Sequence, residues 1–343
     1  MKAAVIQGAR SLVVEDRPDP TPGPGEVLVR IRSTGICGSD IHGFEGLIPD
    51  RRPPGLIMGH EAAGEIEQTG EGVEKWRAGD RVAIDPQVSC GACNSCLRGW
   101  GHLCDNRFNL GSSMLVFKHG TLCELIRLPE RQIHRMPDEV SYDEGAMVEP
   151  ASCAMHIFNR ARLEVGAATV IIGTGAIGLI AVQVAKLMGG GKVIGVDRSA
   201  ERLELARGFG ADVLVNSSEE DPVDRILKET DGVGADAVVE AVGKSQTYDW
   251  SVRSVRKRGQ IMALGYLDEE VPFAMRPLIF REVSVIGCTG FTHESDTVLK
   301  LMALRRIDVR PLITHRFPLG EINTAFETAG GPGSGAIKVM VHP

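Results

Sequence analysis

The sequence lacks any apolar run of the roughly eighteen residues that a membrane-spanning helix needs. Its richest stretch, AIGLIAVQVAKLM, is interrupted by Gln183 and Lys186. No block of one charge occurs either. Lys and Arg number 38 against 45 Asp and Glu, for a net charge of −7. With no basic stripe to neutralise phosphates, neither a nucleic acid nor a membrane is expected as a partner. The opening residues, MKAAVIQGARSLVVEDR, lack the apolar core of a signal peptide. A cytoplasmic setting is therefore expected, where thiols stay reduced. Internal repeats and low-complexity segments are also missing. What is left is a chain of 343 residues, 43% apolar and 24% charged, long enough for two globular domains.

Cysteine is present in an organised way. Four of the eight cysteines fall in CGACNSCLRGWGHLC, as Cys90, Cys93, Cys96 and Cys104. Disulfides between such close neighbours need a strained backbone, and a reducing compartment disfavours them. Four thiolates around one ion, with no open position, is the pattern of a structural zinc. An iron–sulfur cluster takes the same four ligands, and unligated thiols are the third reading.

The first ~150 residues carry short alternating runs (KAAVIQ, EVLVRIRS, AAGEIEQTG, DRVAIDP) broken by turns such as PGPGE, which predicts a β-rich domain. From about Ala154 the pattern changes to continuous apolar runs alternating with helical segments. ATVIIG, KVIGVD, DVLVN, ADAVVEAVG, QIMALG and EVSVIG read as six strands of a parallel, doubly wound sheet. The last fifty or so residues return to mixed character.

Between the first such strand and its helix stands Gly173-Thr-Gly175-Ala176-Ile177-Gly178. A GxGxxG motif alone is weak. Here a strand precedes it, a helix follows, and the next strand ends on Asp197, which is the context of a dinucleotide's pyrophosphate loop. Asp197 can accept from ribose hydroxyls and would repel a 2′-phosphate, favouring NAD over NADP. The adjacent Arg198 is the residue that could accommodate such a phosphate. A Gly-rich turn in an unrelated α/β protein is the plain alternative.

Three further segments hold metal-ligating types. STGICGSDIHGFEG contains Cys37, Ser39, Asp40 and His42, MGHEAAGEIEQTGEGV contains His60 and Glu61, and AMVEPASCAMH contains Glu149. Singly, each has an ordinary explanation: a buried thiol, a surface histidine, an acid in a first helical turn. Together, a thiolate, an imidazole and a carboxylate make a three-ligand zinc site with one open position.

With these motifs in order, the whole chain resembles the zinc-dependent medium-chain alcohol dehydrogenases. GHEAAGEIEQTGEGV fits the family's G-H-E-x2-G-x5-G-x2-V signature at every fixed position, and CGSDIH, RFNL, VEPAS, FREVSVIG and PLITHRFPL are similar to its sorbitol/threonine dehydrogenase branch. The resemblance implies an α/β protein with a GroES-like catalytic domain (1–153 and 294–343) and a Rossmann NAD-binding domain (154–293). It implies two zinc ions per chain. Cys37 and His60 would hold the catalytic zinc with Glu149 as third ligand, Glu61 ligating transiently or directly, and the Cys90 loop would hold the structural zinc. Asp40 would fix the His60 tautomer, and Ser39 and His42 would relay the proton. Zinc would act as a Lewis acid on an alcohol oxygen, with hydride passing to NAD in a cleft between the domains. The implied substrate is a secondary alcohol, polyol or sugar-like, or its ketone. Threonine/butanediol-type oxidation, a non-catalytic NAD-binding scaffold and a zinc-free enone reductase are the rivals. GCTGF at 287–291 departs from the basic–aromatic pair of sorbitol-type members. Phe44, Leu47, Phe108 and Phe291 are candidates for a pocket lining or for ordinary core. A homo-dimer or homo-tetramer is implied, with EVSVIGCTGF either pairing across a two-fold axis or serving as an ordinary buried strand.

Overall fold

The computed structural model describes residues 1–113, 117–268 and 270–343. It divides into two units, Met1–Pro150 with Thr292–Pro343, and Ala151–Phe291.

In the first unit, β1 (Lys2–Gly8) and β2 (Ser11–Asp16) form a hairpin. A seven-stranded sheet is built from β3 (Glu26–Gly35), β4 (Glu61–Thr69), β5 (Arg81–Ile84), β8 (Leu125–Pro129) and β9 (Ile133–Arg135), joined by two strands from the end of the chain. β6 (Gln87–Val88) and β7 (Phe108–Asn109) pair separately, at the two edges of the cysteine loop. The second unit contains β10 (Thr169–Ile172), β11 (Val193–Asp197), β12 (Val213–Asn216), β13 (Ala235–Glu240), β14 (Val255–Ala263) and β15 (Ser284–Gly287). The chain then returns to the first unit as β16 (Ile313–Pro318) and β17 (Lys338–His342).

The strand order of the large sheet is β16-β17-β3-β4-β5-β9, with β8 also on β3. Its core is aliphatic. Val29, Ile31, Ile66, Val82, Leu128 and Val341 are buried together. Phe44 packs against Phe326 with ring centroids 5.0 Å apart and planes tilted by 39°, so Phe44 belongs to this core. The register converges three chain segments. Gly35 at the end of β3 pairs with Glu61 at the start of β4 and with Met340 of β17, and the Ile36 amide donates to the Val339 carbonyl at 2.9 Å. Cys37, His60 and Lys338 are thereby gathered at one corner of the sheet by backbone pairing.

The second unit's sheet runs β12-β11-β10-β13-β14-β15, with every pair parallel. All four residues of β10 are buried, as expected of a strand covered on both faces. Val170, Ile194, Val238 and Ile261 form its core. The order reverses between β10 and β13, and the carboxyl ends of strands at such a switch point are where open α/β sheets bind ligands. Phe291 is buried within this unit. Among the described residues no helix is long and apolar enough to cross a membrane.

One carboxylate ties the late strands to the early ones. Asp143, in the short helix Tyr142–Ala146, accepts from Ser33 Oγ of β3 at 2.7 Å and from Arg316 Nε of β16 at 2.6 Å, and lies 2.8 Å from His342 Nε2 of β17. Burial on its own would push its carboxyl up. The bonds to His342, Ser33 and Arg316 outweigh it and hold the carboxyl well below the usual range. A depressed carboxyl adds stability that is present above its unfolded pKa of about 3.9 and is lost as pH falls toward the folded value. Asp143→Asn should therefore cost roughly 1–3 kcal/mol at neutral pH, and the gap from the unaltered chain should narrow below about pH 4. Urea melts at both pH values read this; a gap independent of pH would contradict it.

Candidate functional site

The cysteine loop closes on itself. All eight cysteines are free thiols, and the donor sulfurs of Cys90, Cys93, Cys96 and Cys104 lie within 4.8 Å of one another. The Cys90–Cys96, Cys93–Cys96 and Cys93–Cys104 separations are 3.9, 3.5 and 3.8 Å. Sulfurs at the corners of a tetrahedron around an ion with bonds of about 2.3 Å stand about 3.8 Å apart, so the thiols fit a zinc ion. Backbone amides point at them. Cys93 N donates to Cys90 Sγ at 3.3 Å, and Cys90 N and Asn106 N donate to Cys104 Sγ at 3.3 Å. The amides of Ala92 and Cys93 lower the Cys90 thiol to about 6, whereas burial raises Cys104 to about 11. Gly91 (φ +74°) and Gly99 (φ +79°) take the left-handed conformation that the loop's turns require.

At the sheet corner, donor atoms of Cys37, His60 and Glu61 also come within 4.8 Å of one another. The sequence folds this way because β3 delivers Cys37 as the residue before the helix Gly38–Phe44, and β4 starts directly after His60. Ser39 and His42, three apart, share one face of that helix. Asp40 is fully buried and organises its neighbours. Its Oδ2 accepts from Cys37 N at 3.4 Å and lies 3.3 Å from His60 Nδ1, without the alignment of a hydrogen bond. Its Oδ1 accepts from Arg52 Nη2 at 3.1 Å. Burial would raise Asp40, but His60 and Arg52 hold it well below the carboxylate range. Burial would depress His60, but Asp40 and Cys37 hold it well above the usual imidazole range.

Glu61 is not idle. Lys338 Nζ donates to both of its oxygens, at 2.8 and 2.6 Å, and to the Ile36 carbonyl at 3.1 Å. Lys338 and Glu61 are both buried. Burial would lower Lys338, and the charges of Glu61 and Cys37 raise it instead. A side chain at Gly35 would come 2.5 Å from Glu61 Oε2, so this corner needs glycine. Glu149, at the start of the helix Val148–Arg160, is not part of the compact donor group. Burial and the neighbouring Glu61 push its carboxyl up to about 7 against the opposing pull of His60 and Lys338. The chemistry of the set, a thiol, an imidazole and nearby carboxyls, suits zinc.

Lys338 and Arg52 are the residues that sequence reasoning missed. A single lysine in the apolar run AIKVMVH was the available signal for the first. Arg52, in DRRPPG, gave none. Of the pocket candidates, Phe44 and Phe291 are core, whereas Leu47 is exposed and Phe108 lies beside Lys118 in the β7 ladder.

In the second unit the loop 173–178 has the form its glycines require. Gly173 has φ +92°, and a side chain on Gly178 would collide with the Gly173 carbonyl. The first helical bond runs from Leu179 N to Gly175 O at 2.9 Å, so the amides of Ala176, Ile177 and Gly178 have no partner within the helix. Asp197 is already engaged. Its Oδ2 accepts from Thr174 N at 2.8 Å and Thr174 Oγ1 at 3.1 Å, and its Oδ1 from Ser199 N at 3.0 Å. It clamps the loop while retaining room for a further donor. Arg198 is exposed.

Comparison with known proteins agrees with this geometry. Residues 23–138 match the alcohol dehydrogenase GroES-like domain, and residues 176–304 match the zinc-binding dehydrogenase domain. The chain is 35% identical to sorbitol dehydrogenase from Gallus gallus, over 99% of this chain and 95% of that one. A zinc-binding dehydrogenase from Sinorhizobium meliloti bound to NADP superposes with a TM-score of 0.92 at 30% identity, covering 100% and 99% of the two chains. The 2R,3R-butanediol dehydrogenase from Bacillus subtilis superposes with a TM-score of 0.89 at 28% identity, again covering 100% and 99%. With both domain models matched in order and a full-length relative at that identity, the chain belongs to the zinc-dependent medium-chain alcohol dehydrogenases, oxidoreductases that work with zinc and a nicotinamide dinucleotide.

Proposed function

We propose that this protein oxidises a secondary alcohol of a polyol or sugar-like compound with NAD, using one catalytic and one structural zinc per chain. The observation that carries the reading is the convergence of Cys37, His60 and Glu61 beside a helix bearing Ser39 and His42. Full-length similarity to a sorbitol dehydrogenase supports the polyol class.

When bound, zinc supplies a Lewis acid for the alcohol oxygen and the dinucleotide accepts the hydride. Cys37 and His60 would grip the metal, His60 through Nε2, because its Nδ1 faces Asp40. Lys338 holds both oxygens of Glu61, which leaves Glu149 as the carboxylate for the third position. Ser39 Oγ would take the alcohol proton, and His42, on the same helix face and half-buried, would pass it to solvent. The Cys90 loop would hold its zinc for stability alone. Gly173, Gly175, Ala176, Ile177 and Gly178 would cradle the pyrophosphate, and Asp197 would meet the ribose of the adenosine half.

A second reading, diol oxidation, is favoured by the likeness to the butanediol dehydrogenase. Two copies would pair through β15. This strand is the sheet's edge, and Val285, Met275, Ile279 and Phe280 expose an apolar surface around it that a second copy would bury.

A screen of polyols, sugar alcohols, diols and threonine against NAD and NADP tests the activity. Polyols with NAD should give the highest kcat/KM. Preference for a vicinal diol or for NADP would overturn the substrate or cofactor half, and no turnover by the zinc-loaded chain would leave the scaffold reading. Elemental analysis should find two zinc ions per chain. Cys37→Ser should lose one of them and at least about 10³-fold in kcat at nearly unchanged melting temperature. Cys96→Ala should lose the other and about 10 °C or more in melting temperature. A Cys37→Ser variant that keeps its zinc content and turnover contradicts the ligand assignment. For assembly, Val285→Asp should reduce the mass by light scattering to that of one chain; an unchanged mass places the contact elsewhere.

A further inference from the structure

Glu240 is the last residue of β13 and is fully buried. Among the described residues its partners are dipoles and not a cation. Oε1 accepts from Val242 N at 3.0 Å and Gly243 N at 2.9 Å, Oε2 accepts from Gly243 N at 3.1 Å, and Thr247 Oγ1 lies 2.8 Å from Oε1. A buried carboxylate without a counter-ion is a costly way to shape a turn, and the mechanism above does not use it.

Its surroundings say what the turn is for. Glu240 pairs across the sheet with Ile172, the residue before the phosphate loop. A side chain on Gly173 would come 2.6 Å from Val242 Cγ2, so the turn that Glu240 holds is packed directly against that loop. The Glu240 carbonyl accepts from Leu264 N and Gly265 N, both at 3.0 Å. A side chain on Gly265 would come 2.7 Å from Glu240 Oε2. Tyr248 Oη donates to the Gly265 carbonyl at 2.8 Å, and Asp268 N donates to the Gly243 carbonyl at 2.8 Å. The Glu240 carboxylate thus fixes the turn after β13 and its backbone carbonyl fixes the turn after β14, on the side of the switch point away from Asp197.

We propose that Glu240 is a positioning residue for the dinucleotide, its carboxylate holding the turn 241–243, on which the turn 264–266 packs, preformed against the Gly173 loop so that the nicotinamide half meets a fixed wall. The proposal rests on the dinucleotide reading. In a doubly wound sheet the β10–β11 side takes the adenosine half and the β13–β14 side the other half. Loosening the wall therefore weakens the whole dinucleotide and spares AMP.

The test is a fluorescence titration of the full chain with NADH, and displacement by AMP. Glu240→Gln keeps the shape but turns an amide N–H₂ toward donors. It should raise the Kd for NADH roughly tenfold and leave AMP within about twofold. Thr247→Val removes a hydroxyl that Glu240 Oε1 shares with the Lys244 carbonyl and should raise the NADH Kd roughly two- to fivefold with AMP unchanged. Both ligands weakened alike, or NADH unchanged, would overturn the proposal. Should Glu240→Gln not fold, Thr247→Val decides between the same two outcomes. Failure of the unaltered chain to bind NADH is a separate result that overturns the dinucleotide reading itself.

Discussion

Charge balance in a closed space governs the candidate metal site. Cys37, Asp40, Glu61 and Glu149 bring acidic groups to one corner of a sheet. Lys338 and Arg52 are there to meet Glu61 and Asp40. Removing one partner of such a buried pair typically costs about 3–5 kcal/mol, because the other is left uncompensated. With those two carboxylates neutralised by fixed cations, the remaining thiol, imidazole and carboxyl form a set whose charge a divalent ion can balance. On the proposed ligand set, the lysine and arginine would decide which acidic groups are available to metal and which are not.

Much of this was legible in the sequence because it depends on spacing. The four cysteines are close in the chain, so their convergence needs only a loop. The glycines of GTGAIG lie between a strand and a helix that are themselves periodic. The six parallel strands and the helices between them follow from apolar runs that have to be buried on both faces, while their spatial order is set by tertiary pairing. The pairing of Glu61 with Lys338 was not legible, because it joins residues 277 positions apart. It depends on the antiparallel placement of β17 beside β3, a fact of tertiary register. Arg52 lies in an irregular segment with no period to reveal which way it faces. The pocket aromatics show the opposite failing: Phe44 and Phe291 are large and near suggestive motifs, and packing claims both.

The two sites in the sheets share a device. At the candidate metal site, Asp40 accepts from the start of its own helix and from Arg52 in a loop, and faces His60. At the end of β13, Glu240 ties two turns. Asp143 does the same for the strands that close the large sheet. In each case a carboxylate offers several acceptor positions from one side chain; Asp143 thereby joins segments far apart in sequence, whereas the Glu240 carboxylate fixes its own turn and leaves the second to its backbone carbonyl. Each carboxylate is also a point at which a single substitution releases several segments together.

The position of Lys338 has a consequence for biosynthesis. A growing chain contains Cys37, His60 and Glu61 from early on, but β17 emerges only after the entire second unit, 151–291, has been made. The second unit is continuous and domains generally fold as units during synthesis, so it can mature while the large sheet still waits for its last two strands, β16 and β17. Glu61 can therefore meet its cation only once β17 has left the ribosome, and until then its carboxylate stands without the lysine that the folded sheet supplies.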